Sequence, residues 1–289
     1  MSSHNRTIIF IVTMVAAILS LSTPHSRALA ADGGLTAEQI VNKSFKVHGG
    51  EDSISTLTFT FTAPGDRERK LAYTMLWKDY KGQDDITTKM IFFKEFPPAD
   101  KGIAYMTWMY RSDLQRDDDE WLYLPELRTV RKLSKKIGED EEHNEDSEFS
   151  KSVLHRPQLV PRPPALDTHE LLSTEMLDGK EYYVVARTPK KDKDEYPYSK
   201  TINWISKDHF LLSKIDYYNK SGTLVLQQQI NWQQIDDAWV WDRVEAVDRN
   251  NGNNTVLTVS DVHVNTGLDD DTFTKRVMKL GIGSLRLAD

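Results

Sequence analysis

Leu57-Thr58-Phe59-Thr60-Phe61-Thr62 sets three large apolar side chains on one side of an extended chain and three threonines on the other. A period of two is the signature of a half-buried strand. Leu71, Tyr73, Met75 and Trp77 repeat the pattern against Ala72, Thr74 and Lys78. Outward from this pair, similar runs cover 86–95, 102–111, 119–124, 127–133 and 168–176. They continue at 181–188, 201–206, 211–219, 223–234, 238–248 and 254–264. Lys81-Gly82, Asp178-Gly179, Ser221-Gly222 and Asn251-Gly252 mark turns between them. Loops this short join antiparallel neighbours. No fixed-period repeat appears and no linker divides the chain. Residues 31–289 therefore read as a single, mainly β domain: a large, strongly curved antiparallel sheet with a helix packed on it.

That helix begins at Thr36, an N-cap with Gln39 as its reciprocal partner, and Leu35 and Ile40 are placed as a hydrophobic staple. Ile40, Val41, Ser44 and Val47 form a narrow stripe for an apolar surface, and Gly49-Gly50 stops the helix. Near the other end, Asp269-Asp270-Asp271 is placed to cap a short helix through Val277. Two stretches break the alternation. Residues 137–167 run from an acidic segment, Glu139–Glu148, to a proline-rich one with Pro157, Pro161, Pro163 and Pro164. Long loops in compact domains are usually functional or mobile. Residues 188–200 read as a long hairpin loop.

The N-terminus gives an address. Thr7–Leu21 is almost wholly apolar, follows Arg6, and is broken by Pro24. It is short for a membrane span, and Ala28-Leu29-Ala30 supplies the small residues of a signal-peptidase site. Residues 1–30 are expected to be a signal peptide cleaved after Ala30, which makes the mature protein periplasmic. The 289-residue chain has a net charge of −7, so an electrostatic grip on nucleic acid is not expected. It contains no cysteine. Disulfides, thiol catalysis, Cys-ligated zinc, iron–sulfur clusters and the lipidated cysteine of a bacterial lipoprotein are thereby excluded.

Motifs that carry chemistry are absent. There is no HExxH, GxSxG, P-loop or GxGxxG. His143 lies among acids, which a solvated loop explains, so no metal is assigned. Asp119/Glu120 and Asp236/Asp237 are adjacent acids with nothing to mark them as a catalytic pair. No catalytic residue, cofactor or enzymatic activity is expected. What stands out is adaptable apolar surface on strands: Met106 and Trp108 on one face of 102–110, Trp121 and Tyr123 on the next strand, and Trp204, Trp232, Trp239 and Trp241 later. These side chains read either as ordinary core or, since a curved sheet under one helix has more concave apolar area than the helix can cover, as the wall of a cavity for a greasy ligand. Trp also serves sugar binding, so composition does not fix the content.

The segment 86–155 carries Lys89-Met90-Ile91-Phe92-Phe93, then Pro97-Pro98-Ala99-Asp100-Lys101-Gly102. Trp121-Leu122-Tyr123-Leu124-Pro125-Glu126-Leu127-Arg128 follows, and then Asp146-Ser147-Glu148-Phe149-Ser150. In these blocks the chain resembles the outer-membrane lipoprotein-sorting protein family, related to the LolA and LolB carriers and to RseB-type regulators. Looser similarity runs through Asp178-Gly179, Tyr183, Pro189, Tyr198-Ser199-Lys200 and Thr272-Phe273-Thr274. It departs from the family at Asp146–Ser152, where Lys151-Ser152 stands in place of an acidic pair. The resemblance implies an incomplete, strongly curved LolA-like β-barrel of about eleven strands, with helices lidding a concave face that holds acyl chains.

It also implies a periplasmic carrier of lipid or acylated lipoprotein cargo towards the outer membrane, working with an RND/MMPL-type inner-membrane exporter. The residues expected to line the groove are Tyr73, Met75, Trp77, Ile91, Phe93, Met106, Trp108, Trp121 and Tyr123. Ile40, Val41, Ser44 and Val47 would face it from the lid, and Met106→Glu or Trp108→Glu would test it. The alternative is an envelope sensor or scaffold that docks the same barrel on a membrane protein through Arg128, Arg131 and Lys132.

Overall fold

The computed structural model describes residues 34–114, 116–133, 152–190 and 196–285. Residues 1–30, expected to be a signal peptide, and the acidic run Glu139–Glu148 lie outside the described residues. Thirteen strands form one antiparallel sheet: β1 (Asp52–Thr62), β2 (Arg69–Asp79), β3 (Ile86–Phe96), β4 (Ala104–Tyr110), β5 (Asp119–Leu124), β6 (Thr129–Lys132), β7 (Asp167–Leu177), β8 (Lys180–Pro189), β9 (Lys200–Ser206), β10 (Leu212–Tyr218), β11 (Leu224–Ile235), β12 (Ala238–Asp248) and β13 (Asn254–Val264). Their order is β6-β5-β4-β3-β2-β1-β13-β12-β11-β10-β9-β8-β7. Each alternating run of the sequence is one of these strands, two more than the family resemblance implies. β1 joins two meanders by pairing with both β2 and β13. β6 and β7 are the outer edges and do not pair with each other, so the barrel stays open.

The curvature follows from one short segment. Arg156 Nη1 lies 3.5 Å from Glu120 on β5, and two residues later the carbonyl of Gln158 accepts from Gln228 Nε2 on β11 at 3.0 Å. On a flat sheet β5 and β11 would stand about 34 Å apart. Side chains two residues apart cannot bridge that span, so the sheet curls around this segment. The face bearing Glu120 and Gln228 is therefore concave.

Helix α1 (Ala37–Phe45) opens with the expected box: Thr36 Oγ1 accepts from the Gln39 amide at 3.2 Å, and Gln39 Oε1 accepts from the Thr36 amide at 2.8 Å. Ile40 and Val41 are buried against Leu171, Tyr183, Val185 and Ile205 of β7, β8 and β9, with Leu35 beside them as the staple requires. The helix ends at Phe45, so Val47 lies beyond it. A single turn, α2 (Arg156–Leu159), sits in the connection between β6 and β7.

The C-terminal acids do not start one helix through Val277. Asp269 caps a separate 3₁₀ turn, Asp270–Thr272, and Thr274 then caps α3 (Lys275–Leu280). Phe273 at the junction is fully buried, and that anchor splits the segment in two. α3 packs on β4, β5 and β6. Buried Asp52 fixes the chain leading to it by accepting from the Thr266 amide at 2.6 Å, the Thr266 hydroxyl at 2.8 Å and the Leu268 amide at 3.0 Å.

Candidate functional site

Strand register decides which apolar residues share the concave face. Leu57 pairs with Tyr73 and Phe59 with Leu71, so odd residues of β1 and β2 lie together. Across the next turn the parity changes: Met75 pairs with Phe92, and Leu76 with Ile91. Ile91 then pairs with Met106, and Met106 with Trp121. Of the nine groove residues expected from sequence, Tyr73, Met75 and Trp77 are on the concave face. Ile91, Phe93, Met106, Trp108, Trp121 and Tyr123 are on the convex one. There, all but half-buried Trp108 are buried in a cluster completed by Leu268, Phe273, Val277 and Met278, beneath α3. Met106 is 1% exposed and Ile91 0%, values of a packed core and not of a groove wall.

The concave face carries a second core: Leu57, Phe59, Leu71, Tyr217, Leu226, Ile230, Val244 and Leu257. Half-buried Met75, Phe92, Trp232 and Trp241 pack against its margin. Trp232 and Trp241 meet edge-on with centroids 6.3 Å apart, and Trp232 Nε1 donates to the Leu212 carbonyl at 2.8 Å. Two tryptophans, a methionine and a phenylalanine thus make up a half-exposed apolar band at the margin of the concave core. Sequence reading marked Met75 and the tryptophan-rich strands, but left out Phe92, because alternation within β3 gives no link to the parity of β2.

A strap, residues 152–166, crosses this face. It is the described part of the long loop expected over 137–167. Val153 and Leu154 are buried in the concave core, and the Val153 amide donates to Thr255 Oγ1 at 3.0 Å. Gln158 is its central pin. Its Oε1 accepts from the His155 amide at 3.0 Å, its Nε2 donates to Tyr198 Oη at 2.8 Å, and its carbonyl accepts from fully buried Gln228. Tyr217 donates to Gln228 Oε1 at 2.6 Å. Burial holds the Tyr217 hydroxyl well above its ordinary pKa, so it remains a donor.

At the far end Arg162 and Arg187 both bind buried Asp167, at 2.8 and 2.7 Å. Arg156 pairs with Asp118 and Glu120 beside β5. The strap's signal in sequence is Val153-Leu154 and Leu159 set among prolines that favour an extended chain.

Where α1 meets the sheet's end lies a groove of 550 Å³ walled by Leu35, Val47, Phe210 and Trp239, with Lys43, Lys46, His48 and His209 on its rim. The Trp239 amide donates to the His48 carbonyl at 2.8 Å, and the His209 and Trp239 rings are 4.9 Å apart. Of the lid residues, Ile40 and Val41 are sealed in the core, Ser44 is half-buried, and Val47 faces this groove. Of the basic residues, Lys132 pairs with Asp119 at 2.5 Å, while Arg128 and Arg131 stand exposed along the β6 edge. Among the described residues no group of three or more His, Asp or Glu is placed to hold a metal ion, and no helix is long and apolar enough to cross a membrane.

The model of the DUF1329-like family, whose members are described as uncharacterized protein, matches residues 86–280. A DUF1329 family protein from Desulfovibrio piger is 25% identical and superimposes with a TM-score of 0.70, over 84% of this chain and 97% of that one. A domain named for outer-membrane lipoprotein sorting, from Vibrio parahaemolyticus, is 23% identical with a TM-score of 0.68, over 84% and 98%. A LolA superfamily protein from Nitrosomonas europaea is 22% identical with a TM-score of 0.57, over 84% and 99%. No curated protein matches the chain.

Proposed function

The chain belongs to the DUF1329-like family, and from its half-open concave face and LolA-like fold we propose that it is a non-enzymatic carrier of a hydrophobic cargo. The cargo is a lipid or the acyl chains of a lipoprotein, carried through the periplasm towards the outer membrane, with an RND/MMPL-type exporter as its inner-membrane partner. The observation that carries this reading is the band Met75, Phe92, Trp232 and Trp241, half-buried at the margin of the concave core that the strap's Val153 and Leu154 enter. An acyl chain gains about 0.8 kcal/mol per CH₂ buried, so an adaptable apolar band is enough to hold one and still release it. The names of the Vibrio and Nitrosomonas proteins, one for lipoprotein sorting and one for LolA, point the same way.

The test is to purify the protein from Ala31 onward without detergent, extract it with organic solvent, and identify co-purified lipid by mass spectrometry. A stoichiometric lipid is expected in the wild type and its loss in Met75→Glu, with the melting temperature little changed. Met106→Glu places a charge in the convex core and is expected to unfold the protein, at a cost of about 4 kcal/mol or more. A lipid-free wild type that also takes up no fluorescent fatty acid would sink the carrier reading.

One observation favours a second reading, a sensor or scaffold docked on a membrane protein: Arg131 stands exposed on β6, an edge strand among the described residues, and Arg128 in the turn just before it. Charge reversal at Arg128, Arg131 and Lys132 would weaken partner pull-down and spare lipid binding if that reading holds.

A further inference from the structure

We infer that the groove between α1 and the β9–β10 turn seats the anionic head of an amphiphile whose tail lies along the concave band, an inference that rests on the carrier reading. Lys43, Lys46, His48 and His209 ring the groove, and no carboxylate is among its lining residues. In a chain of net charge −7 this is a local reversal of sign. The acids nearest the imidazoles stand off the lining: Asp237 is 3.6 Å from His48, and Asp208 is 4.0 Å from His209. The lysines supply the permanent charge. Lys43 Nζ lies 4.8 Å over the Phe210 ring, so a permanent positive charge sits beside the groove's apolar lining.

The floor is built for the first carbons of a tail. Phe210 holds φ +57, a left-handed conformation uncommon for a bulky residue, and its ring stacks on Tyr183 while facing the groove. Trp239 lines the same groove. It stands two residues before Trp241 on the same face of β12, so a chain leaving the groove past Trp239 meets the band directly. A basic rim over an apolar floor that continues into an apolar band fits a phosphate or carboxylate bearing an alkyl chain. A free anion would use only the rim, and a neutral lipid only the floor.

Isothermal titration of the mature protein with three dodecyl-chain probes below their micellar concentrations tests this: dodecyl phosphate, lauric acid and neutral monolaurin, beside inorganic phosphate alone. Wild type is expected to bind the two anions roughly tenfold more tightly than monolaurin, and inorganic phosphate not measurably. Both lysines are exposed, so Lys43→Glu/Lys46→Glu should keep the wild-type circular dichroism, bind monolaurin unchanged and lose the preference for anions. Lys43→Gln/Lys46→Gln, which adds no repulsion, should fall between. Equal binding of all three probes by wild type and variant would overturn the head-group assignment and leave the carrier reading intact. Tight binding of inorganic phosphate alone would overturn the assignment to an amphiphile. No binding of any dodecyl probe would remove the carrier reading and this inference with it.

Discussion

His169 shows how much a single half-buried group can make of its surroundings. It sits on the concave face of β7 under α1, and its Nε2 is buried with no hydrogen-bond partner among the described residues. Burial lowers its pKa below the ordinary 6.5, Arg187 and Lys190 push the same way, and Asp167 and Glu38 oppose them. A histidine whose folded pKa is depressed is held neutral, so the folded state binds fewer protons than the unfolded one just below pH 6.5. Stability therefore rises with pH through that window and falls on acidification. His169→Gln, which cannot protonate, should track wild type above pH 7.5 and become relatively more stable as pH drops from 6.5 towards 5. Urea midpoints measured across this range check it, and parallel curves for the two proteins would rule it out. The parity of neighbouring strands is the other single-residue lesson. Met75 and Met106 look alike in sequence, each flanked by aromatics on an alternating strand. One lines the open band and the other lies in the convex core, because turns and bulges, not alternation, decide which faces align. The turn from Lys81 to Asp85 carries positive φ at Lys81, Gly82, Asp84 and Asp85, and only Lys81-Gly82 was a visible turn signal.

At the scale of elements, the strap is where function and stability meet. Gln158 joins three partners and is 5% exposed, so Gln158→Ala removes its two side-chain hydrogen bonds and leaves a small void. The expected cost is about 1–3 kcal/mol of stability. If the strap covers the cargo band, the same change should raise the uptake rate of a fluorescent fatty acid, on the order of fivefold, because the covered state is the one it weakens. Stopped-flow uptake beside thermal melts separates the two effects, and a less stable variant with unaltered uptake would mean that the strap is only structural. The elements themselves were largely legible. All the alternating runs are strands and the Thr36–Gln39 box is formed, since period and capping are local signals. The C-terminal break between the 3₁₀ turn and α3 was not, because it follows from Phe273 entering a core assembled from residues distant in sequence. The strap was not either: prolines announce a loop, and nothing local tells whether a loop lies in solvent or across a sheet.

At the largest scale, the open barrel has two edges left unpaired among the described residues and no cysteine with which to tie them, so its curvature depends on non-covalent bridges across the concave face. The strap provides them. Arg156 reaches the β5 wing, Val153 the centre at β13, Gln158 the β11 wing, and Arg162 the β7–β8 edge through Asp167. If the strap covers the band, moving it off also releases the wings from one another, and access to the band and opening of the sheet become a single coupled change. The absence of cysteine makes this testable without background. The Val153 amide is 3.0 Å from Thr255 Oγ1, so the two Cα atoms lie within about 7 Å, near the reach of a disulfide. In Val153→Cys/Thr255→Cys the introduced pair is the only intramolecular crosslink possible, and its formation is read by loss of free thiol and a reductant-sensitive mass. The oxidised protein is expected to melt higher, by about 4 °C or more for a crosslink worth about 2–4 kcal/mol in a chain of this size. It is also expected to lose fatty-acid binding at least about tenfold, with recovery on reduction, because a pinned strap holds the covered state at the expense of the open one. An oxidised form that binds as tightly as the reduced form would place the cargo elsewhere on the sheet and leave the strap as a brace for its curvature alone.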